Sequence, residues 1–445
     1  MSLDRKLRSK MLTLMFDSRV INSKRRLVET RRKLSGQGHV VSVFLQIDDP
    51  YSYILSHYLP SLAKHYDIEL CLYLSQAHGE EYQPEPALLA EYAIADCTRL
   101  ARELGIPFLD KGSLPPTEHR VGLSDAVAAL VGTDSFDGEL RQALEVFWRG
   151  DTAAALSLRQ AGNPGGEALA SIRKSQKLLQ KLGHYNSAML YYGGEWYWGV
   201  DRLHYLTQRL SELGLAAGDS RDPLLESIKQ AMRVSLPIKP PSAAKDLPPI
   251  EFFHSVRSPY SYLALPRISE IADAFGIEMK LRPVLPMVMR GMKVPQAKLL
   301  YIAADTCREA TRRNVPFGKI ADPVGAGAER CLAVYRYAES EHRARDFLAN
   351  AGVAIWSEAI DVATDNGMRK VTGRTGLFWP DVEEAMKSDD WRQPIEANRE
   401  SMMNGGMWGV PTVRMGDFLL WGQDRDWMLV RHLEELCDTG DGIIV

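Results

Sequence analysis

Paired cysteines are missing from this chain. Its five cysteines (Cys71, Cys97, Cys307, Cys331 and Cys437) are scattered. None lies within a C-x-x-C spacing of another, which excludes a local dithiol redox pair and leaves no zinc signature. Each is expected to be a buried small hydrophobe in a reducing compartment. Nor is there any apolar run near the ~18 residues that a membrane span requires. The opening stretch "MSLDRKLRSKMLTLMFDSRV" has no apolar h-region and no small-residue cleavage site, so a cytoplasmic location is expected. An excess of charge is absent too. With 54 Lys and Arg against 57 Asp and Glu the net charge is −3, and neither nucleic acid nor membrane is expected as a partner.

What the chain does have is repetition. Its 445 residues are long for one core and suggest two domains. "DDPYSYI" at 48–54 returns as "RSPYSYL" at 257–263, an offset of 258 − 49 = 209. The same offset brings "YAIADCTRLARELGIPF" at 92–108 onto "YIAADTCREATRRNVPF" at 301–317. Near the end of each copy, "EWYWGVDRL" at 195–203 falls on "FLLWGQDRD" at 418–426 with the offset grown to 223, so a helical segment of variable length lies between the fixed parts. The expected domains are a basic N-terminal helical extension (1–38), a first copy (39–218), a helix and Pro-rich linker (219–249) and a second copy (250–445). Eleven Lys or Arg in residues 1–36 leave two readings open, an arm for RNA or anionic lipid and a solvated helix packed on the body.

Within the second copy the element order is legible. "IEFFHSV" at 250–256 reads as a strand, followed by a helix in which Ile268, Ile271, Ala272 and Phe275 recur on one face. "IEMKLRPV" at 277–284 is a second strand, and mostly helical sequence runs to about 403. "VPTVRM" and "DFLLWG" then form a hairpin about Gly416, before a last helix from about Asp424 to Leu436. The expected class is α/β: two tandem thioredoxin-like folds, each with an inserted helical domain.

Ser258-Pro259 is what an N-cap followed by an N1 proline looks like. Two readings fit. One is capping alone. In the other, the hydroxyl sits where a helix dipole favours an anion, and donates to a ligand thiolate. Asp49, in the first copy, can cap equally well, but an ionised carboxylate cannot donate and would repel a thiolate. Pro411 in "GVPT" is a candidate cis-proline at a strand start, which would turn the backbone of Val410 toward an extended peptide; a trans proline is the alternative. Ala188 stands opposite Pro411, so the first copy has changed both elements together. Asp305 and Arg308, kept as Asp96 and Arg99, belong with structure, as do Trp421 and Arg425, kept as Trp198 and Arg202.

With "SPYSYLA" (258–264), "LRPVL" (281–285), "VPQAKLLYIAADTCREA" (294–310), "GMWGVPT" (406–412) and "LLWGQDR" (419–425) assembled, the second copy resembles the DsbA-like thioredoxin superfamily. Within it, the resemblance is to the 2-hydroxychromene-2-carboxylate isomerases and kappa-class glutathione transferases. The first copy is similar in frame only. The resemblance implies glutathione as co-substrate, no metal, and Ser258 as the thiol-activating group. It implies further that Val410 and Pro411 pair with the cysteinyl part, that Asp424 with Gln423 beside it meets the γ-glutamyl amine, and that Lys298 serves a carboxylate. Arg257, Tyr260 and Trp408 are the candidate substrate contacts, for an aromatic or hydroxy-acid small molecule. The short "MRGMKVPQAK" lacks the asparagine that the family usually carries, Arg257 replaces a small or apolar residue, and His254 stands where an aspartate often does. Arg257 is open between a substrate carboxylate and solvent; His254 reads as a packed strand residue. A glutathione-dependent isomerase or transferase leads, with the first copy as the other half of a pseudo-dimer. A non-catalytic binding or scaffold protein is the alternative, and disulfide exchange ranks last for want of a cysteine at either helix start.

Overall fold

β-branched and aromatic runs form two four-stranded sheets in this computed structural model, which describes residues 13–14, 17–76, 82–108, 116–128, 130–131, 133–151, 166–218 and 223–440. Residues 1–12 and 15–16 of the basic extension lie outside the described residues. By contact the chain divides into two units, one of Ser23–Arg233 and one of Val234–Val445 together with Met1–Asn22.

Along the first part run α1 (Ser18–Leu34), β1 (Val40–Leu45), α2 (Pro50–Ser56), α3 (Leu59–His65) and β2 (Glu69–Leu74). Helices α4 (Pro86–Leu104), α5 (Thr117–Ala128), α6 (Phe136–Arg149) and α7 (Gly166–Lys181) follow. The hairpin β3 (Met189–Tyr192) and β4 (Glu195–Trp198) comes next, then α8 (Leu203–Glu212) and α9 (Pro223–Ala231). The C-terminal unit repeats that plan with β5 (Ile250–His254), α10 (Pro259–Phe275) and β6 (Met279–Pro283). Its helices are α11 (Gln296–Arg312), α12 (Ala326–Ser340), α13 (Ala344–Ser357), α14 (Asp365–Thr375), α15 (Trp379–Ala385) and α16 (Arg392–Asn404). The hairpin β7 (Thr412–Met415) and β8 (Phe418–Trp421) and a last helix, α17 (Asp426–Gly440), complete it. Strand order is β2-β1-β3-β4 in one sheet and β6-β5-β7-β8 in the other. In each, the first pair is parallel and the other two are antiparallel.

The expected helix face is the buried one: Ile268, Ile271, Ala272 and Phe275 are 4, 0, 1 and 2% exposed, and they pack near Phe252 and Phe253 of β5 at 0%. Burying each large side chain of this kind contributes about 1.5–3 kcal/mol. Polar ties recur as well. Tyr51 donates to Asp96 and Tyr260 to Asp305, both at 2.8 Å. Tyr53 reaches the Pro107 carbonyl at 2.5 Å and Tyr262 that of Pro316 at 2.8 Å. Trp148 Nε1 donates to Ile47 O at 2.9 Å and Trp356 Nε1 to Val256 O at 3.2 Å. The helices after β1 and β5 differ: the first breaks between Ser56 and Leu59, with Pro60 in the new first turn, while α10 runs through Pro266. Breaking avoids the clash and lost N–H that an interior proline brings.

One expectation, the burial of every cysteine, needs correction, and two segments gain detail. The Pro-rich linker lies against the C-terminal unit: a Cβ on Gly276 would lie 3.1 Å from Pro240, and Ala244 of the 3-10 turn Ser242–Asp246 is 2% exposed. By contact, residues from Val234 onward group with the C-terminal unit. Cys97, Cys331 and Cys437 are buried, but Cys71, on the edge strand β2, and Cys307, on α11, are partly exposed. The described part of the basic extension is a packed helix: Arg25 Nε and Nη2 donate to the two carboxylate oxygens of Glu195 at 2.6 and 2.9 Å.

Candidate functional site

Sheet register sets the site. Phe253 of β5 pairs with Thr412 of β7, so the residues after β5 and those before β7 meet at one edge. Ser258 there has extended φ/ψ (−95°, 112°) and caps α10, its Oγ accepting from Ser261 N at 3.1 Å, with Pro259 at N1. Across from it the Val410–Pro411 peptide is cis. Ser258 Oγ donates to the Val410 carbonyl at 3.4 Å, at the long limit for such a bond. The loop is pinned by Gly422 N to Pro411 O at 3.0 Å and by Thr412 Oγ1 to Gly409 O at 2.7 Å. A Cβ on Gly409 would stand 2.9 Å from Trp421 Nε1, so the close approach of this loop to the Trp421 ring requires glycine.

The first unit fills the same places differently. Asp49 caps α2, accepting from Tyr51 N at 3.2 Å, Ser52 N at 3.1 Å and Ser52 Oγ at 2.6 Å. Burial pushes its carboxyl up, and hydrogen bonds from Ser52, Ser187 and the Tyr51 N–H oppose that. Ala188, opposite Pro411, is fully buried with φ +54°.

Of the other expected residues, Lys298 lies in the first turn of α11, where burial pushes its ammonium down to about 8. Asp424 follows β8 and keeps 16% of its side chain exposed; its Oδ1 would be 2.8 Å from a Cβ on Gly422, whose φ is +106°. Gln423 is 3% exposed and turned inward, its side-chain Nε2 donating to Glu309 at 2.9 Å while its backbone carbonyl accepts from Arg313 at 3.0 Å. It braces Asp424 from below instead of facing a ligand beside it.

The three candidate substrate contacts are committed elsewhere. The guanidinium of Arg257 is not loose in solvent: Nε and Nη2 donate to Asp322 at 2.7 and 2.9 Å. Tyr260 uses its hydroxyl on the buried Asp305, a bond present also in the first unit. Trp408 is 2% exposed, with its ring centroid 5.0 Å from that of Trp421. The Asp305–Arg308 pair is present at 3.3 Å, and Arg425 and Arg202 are both buried. No group of three or more His, Cys, Asp or Glu with metal-holding geometry occurs among the described residues.

Sequence reasoning missed Glu309, 1% exposed and joined to Arg312 at 3.0 Å and Arg313 at 3.5 Å. A signal was available: Glu309 aligns with Leu100 and Gln423 with Val200, both buried apolar residues. A polar cluster has thus replaced an apolar one in the unit that keeps Ser258. Arg290 was missed as well. It closes a 3-10 turn, and its Nη2 donates to the Trp408 carbonyl at 2.9 Å.

His254 aligns with Leu45, is 2% exposed, and has its ring 5.9 Å from Phe252. Burial pushes it down to about 3. The folded state therefore holds it neutral, while the unfolded chain protonates it near 6.5. Below that pH the unfolded state binds the extra proton, so stability is lost as pH falls toward the folded value. At about pH 4.5 this removes about 3 kcal/mol. Urea midpoints at neutral and acid pH for wild type and His254→Leu check it. The leucine variant is expected to lose less on acidification; equal losses would remove His254 as the cause.

Residues 249–434 match the DSBA-like thioredoxin domain. The chain is similar to a 2-hydroxychromene-2-carboxylate isomerase of Pseudomonas putida, 25% identical over 199 residues, which covers 42% of this chain and 95% of that protein. One from Sphingobium xenophagum is 26% identical over 195 residues, covering 40% and 93%. Among solved structures, a 2-hydroxychromene-2-carboxylate isomerase covers 44% of this chain and 99% of its own at 23% identity, with a TM-score of 0.39. The cytosolic disulfide reductase DsbM from Pseudomonas aeruginosa with GSH covers 42% and 97% at 18% identity, with a TM-score of 0.32. No described helix is long and apolar enough to cross a membrane. Over residues 249–434 the chain is a DsbA-like thioredoxin domain.

Proposed function

We propose that the C-terminal unit binds glutathione and acts as a glutathione-dependent isomerase or transferase, with the sulfur held at Ser258. The contact between Ser258 Oγ and the Val410 carbonyl beside Pro411 carries this proposal. That hydroxyl is fixed by its bond from Ser261 N, and its own proton is held only by a long 3.4 Å contact. A thiolate arriving at the start of α10 takes that proton's hydrogen bond and gains the favourable end of the helix dipole. The Val410 backbone receives the cysteinyl part of the tripeptide, Asp424 accepts from the γ-glutamyl amine, and Lys298 serves a carboxylate. The likeness to curated 2-hydroxychromene-2-carboxylate isomerases over nearly their whole length supports isomerisation.

In the reaction the sulfur lone pair forms a C–S bond to a conjugated carbon of an aromatic or hydroxy-acid substrate, and the π electrons move onto its carbonyl. The former double bond rotates, the electrons return, and the C–S bond breaks to release the same thiolate. We infer too that the N-terminal unit is a second copy of the fold in which Asp49 and Ala188 have removed this chemistry. Its strand order and the recurring Tyr and Trp hydrogen bonds support common descent, and the capping carboxylate favours a non-catalytic role for that unit.

Titrating glutathione into the full chain while following thiolate absorbance against pH tests this proposal. Saturable binding is expected, with the thiol pKa about one unit or more below its free value near 8.5. No binding heat and no early thiolate at millimolar glutathione would leave a non-catalytic binding protein as the better description.

A further inference from the structure

Arg290 is a half-buried cation that the proposed glutathione contacts leave unused. Of its three guanidinium nitrogens, Nη2 donates to the Trp408 carbonyl at 2.9 Å, whereas Nε and Nη1 are buried with no hydrogen-bond partner among the described residues. Burial lowers its pKa to about 10, with Arg399 and Glu396 of α16 as the charges that face it. Those two pair with each other at 2.6 Å, so Glu396 is engaged and the net charge near Arg290 stays positive. A desolvated cation with idle donors is costly in a folded protein, and such groups ordinarily sit against an anion. Position supplies the rest. Trp408 is two residues before Val410, whose carbonyl meets Ser258, and neighbouring Cα atoms are about 3.8 Å apart. Arg290 thus reaches the same loop that Ser258 touches, within the span of one small molecule.

We propose that Arg290 is a carboxylate-binding residue at this loop, taking the carboxylate of a small-molecule ligand. Two sources share that chemistry: the glycyl end of glutathione and a second, acidic aromatic substrate. The proposal goes beyond the thiolate chemistry at Ser258 and stands without it.

Binding heats for two pairs of probes decide the matter: glutathione against its glycyl ethyl ester, and salicylate against methyl salicylate. Wild type is expected to prefer the acid in one pair by about ten-fold or more, as a charge-assisted bond implies. That preference is expected to fall to about one-fold in Arg290→Met and to persist in part in Arg290→Lys. The pair that responds names the source. Should Arg290→Met not fold, Arg290→Gln, which can keep the bond to Trp408, carries the same comparison. No acid preference in either pair, or one that survives loss of the guanidinium, overturns the proposal. If glutathione does not bind and salicylate shows the Arg290-dependent preference, the glutathione proposal fails and this one stands.

Discussion

Ser258→Ala is expected to raise the pKa of bound glutathione's thiol by about one to two units, since a hydrogen bond to a charged group is worth about 1.5–3 kcal/mol. At neutral pH the bound thiolate, and any turnover that needs it, then falls by about ten- to a hundred-fold. Alanine also removes an N-cap, costing about 1 kcal/mol, because Ser258 Oγ accepts from Ser261 N. A drop in activity alone would therefore be ambiguous. Ser258→Asp separates the two roles. Asp49 shows that aspartate caps the equivalent turn, accepting both Tyr51 N and Ser52 N. The aspartate variant is expected to melt near wild type and yet form no thiolate at neutral pH. Thermal melts and thiolate absorbance on wild type and both variants check this. Thiolate formation by the aspartate variant equal to that of wild type would exclude the hydroxyl from the chemistry.

Glu309→Leu is expected to cost about 3 kcal/mol or more, because it leaves buried partners of a charge without their acceptor. Gln423 Nε2 loses its bond, and Arg313, only 15% exposed, loses Glu309 at 3.5 Å and keeps only Asp426 at 3.6 Å. The first unit shows that an apolar filling of this place is compatible with the fold, since Leu100, Leu104 and Val200 stand where Glu309, Arg313 and Gln423 do. Combining Glu309→Leu, Arg313→Leu and Gln423→Val is therefore expected to recover most of the loss, as replacing whole buried ion clusters often does. Glutathione affinity should not recover with it, because the cluster supports the turn that carries Asp424. Urea unfolding and glutathione titration on the single and triple variants distinguish these outcomes. A single variant as stable as wild type would mean that the cluster contributes nothing.

Periodicity and turn chemistry made much of the C-terminal unit legible. The apolar stripe of α10, the places of β5 and β6 though not their ends, and the hairpin at Gly416 all follow from local rules that the chain obeys. Ser258 and Pro411 stood out because the internal copy keeps the frame and alters those two positions. Long-range pairing was not legible. Arg257 finds Asp322 sixty-five positions away, and nothing near "VRSPY" announces it. Trp408 looked like a surface for a ring, but its own ring packs on Trp421. Glu309 gives no local signal, and only comparison with its partner position, Leu100, singles it out. Arg290 lies in a short turn without periodicity, and only its burial gives it meaning.

The acceptor oxygens of Asp49 are already occupied by its own helix, through Tyr51 N, Ser52 N and the Ser52 hydroxyl. A mouth so saturated with internal donors has no vacancy for a visiting sulfur anion, whatever the likeness of the surrounding strands. If the C-terminal unit binds glutathione as proposed, the expected stoichiometry is a single molecule per chain, with a hyperbolic binding curve and no second site to cooperate.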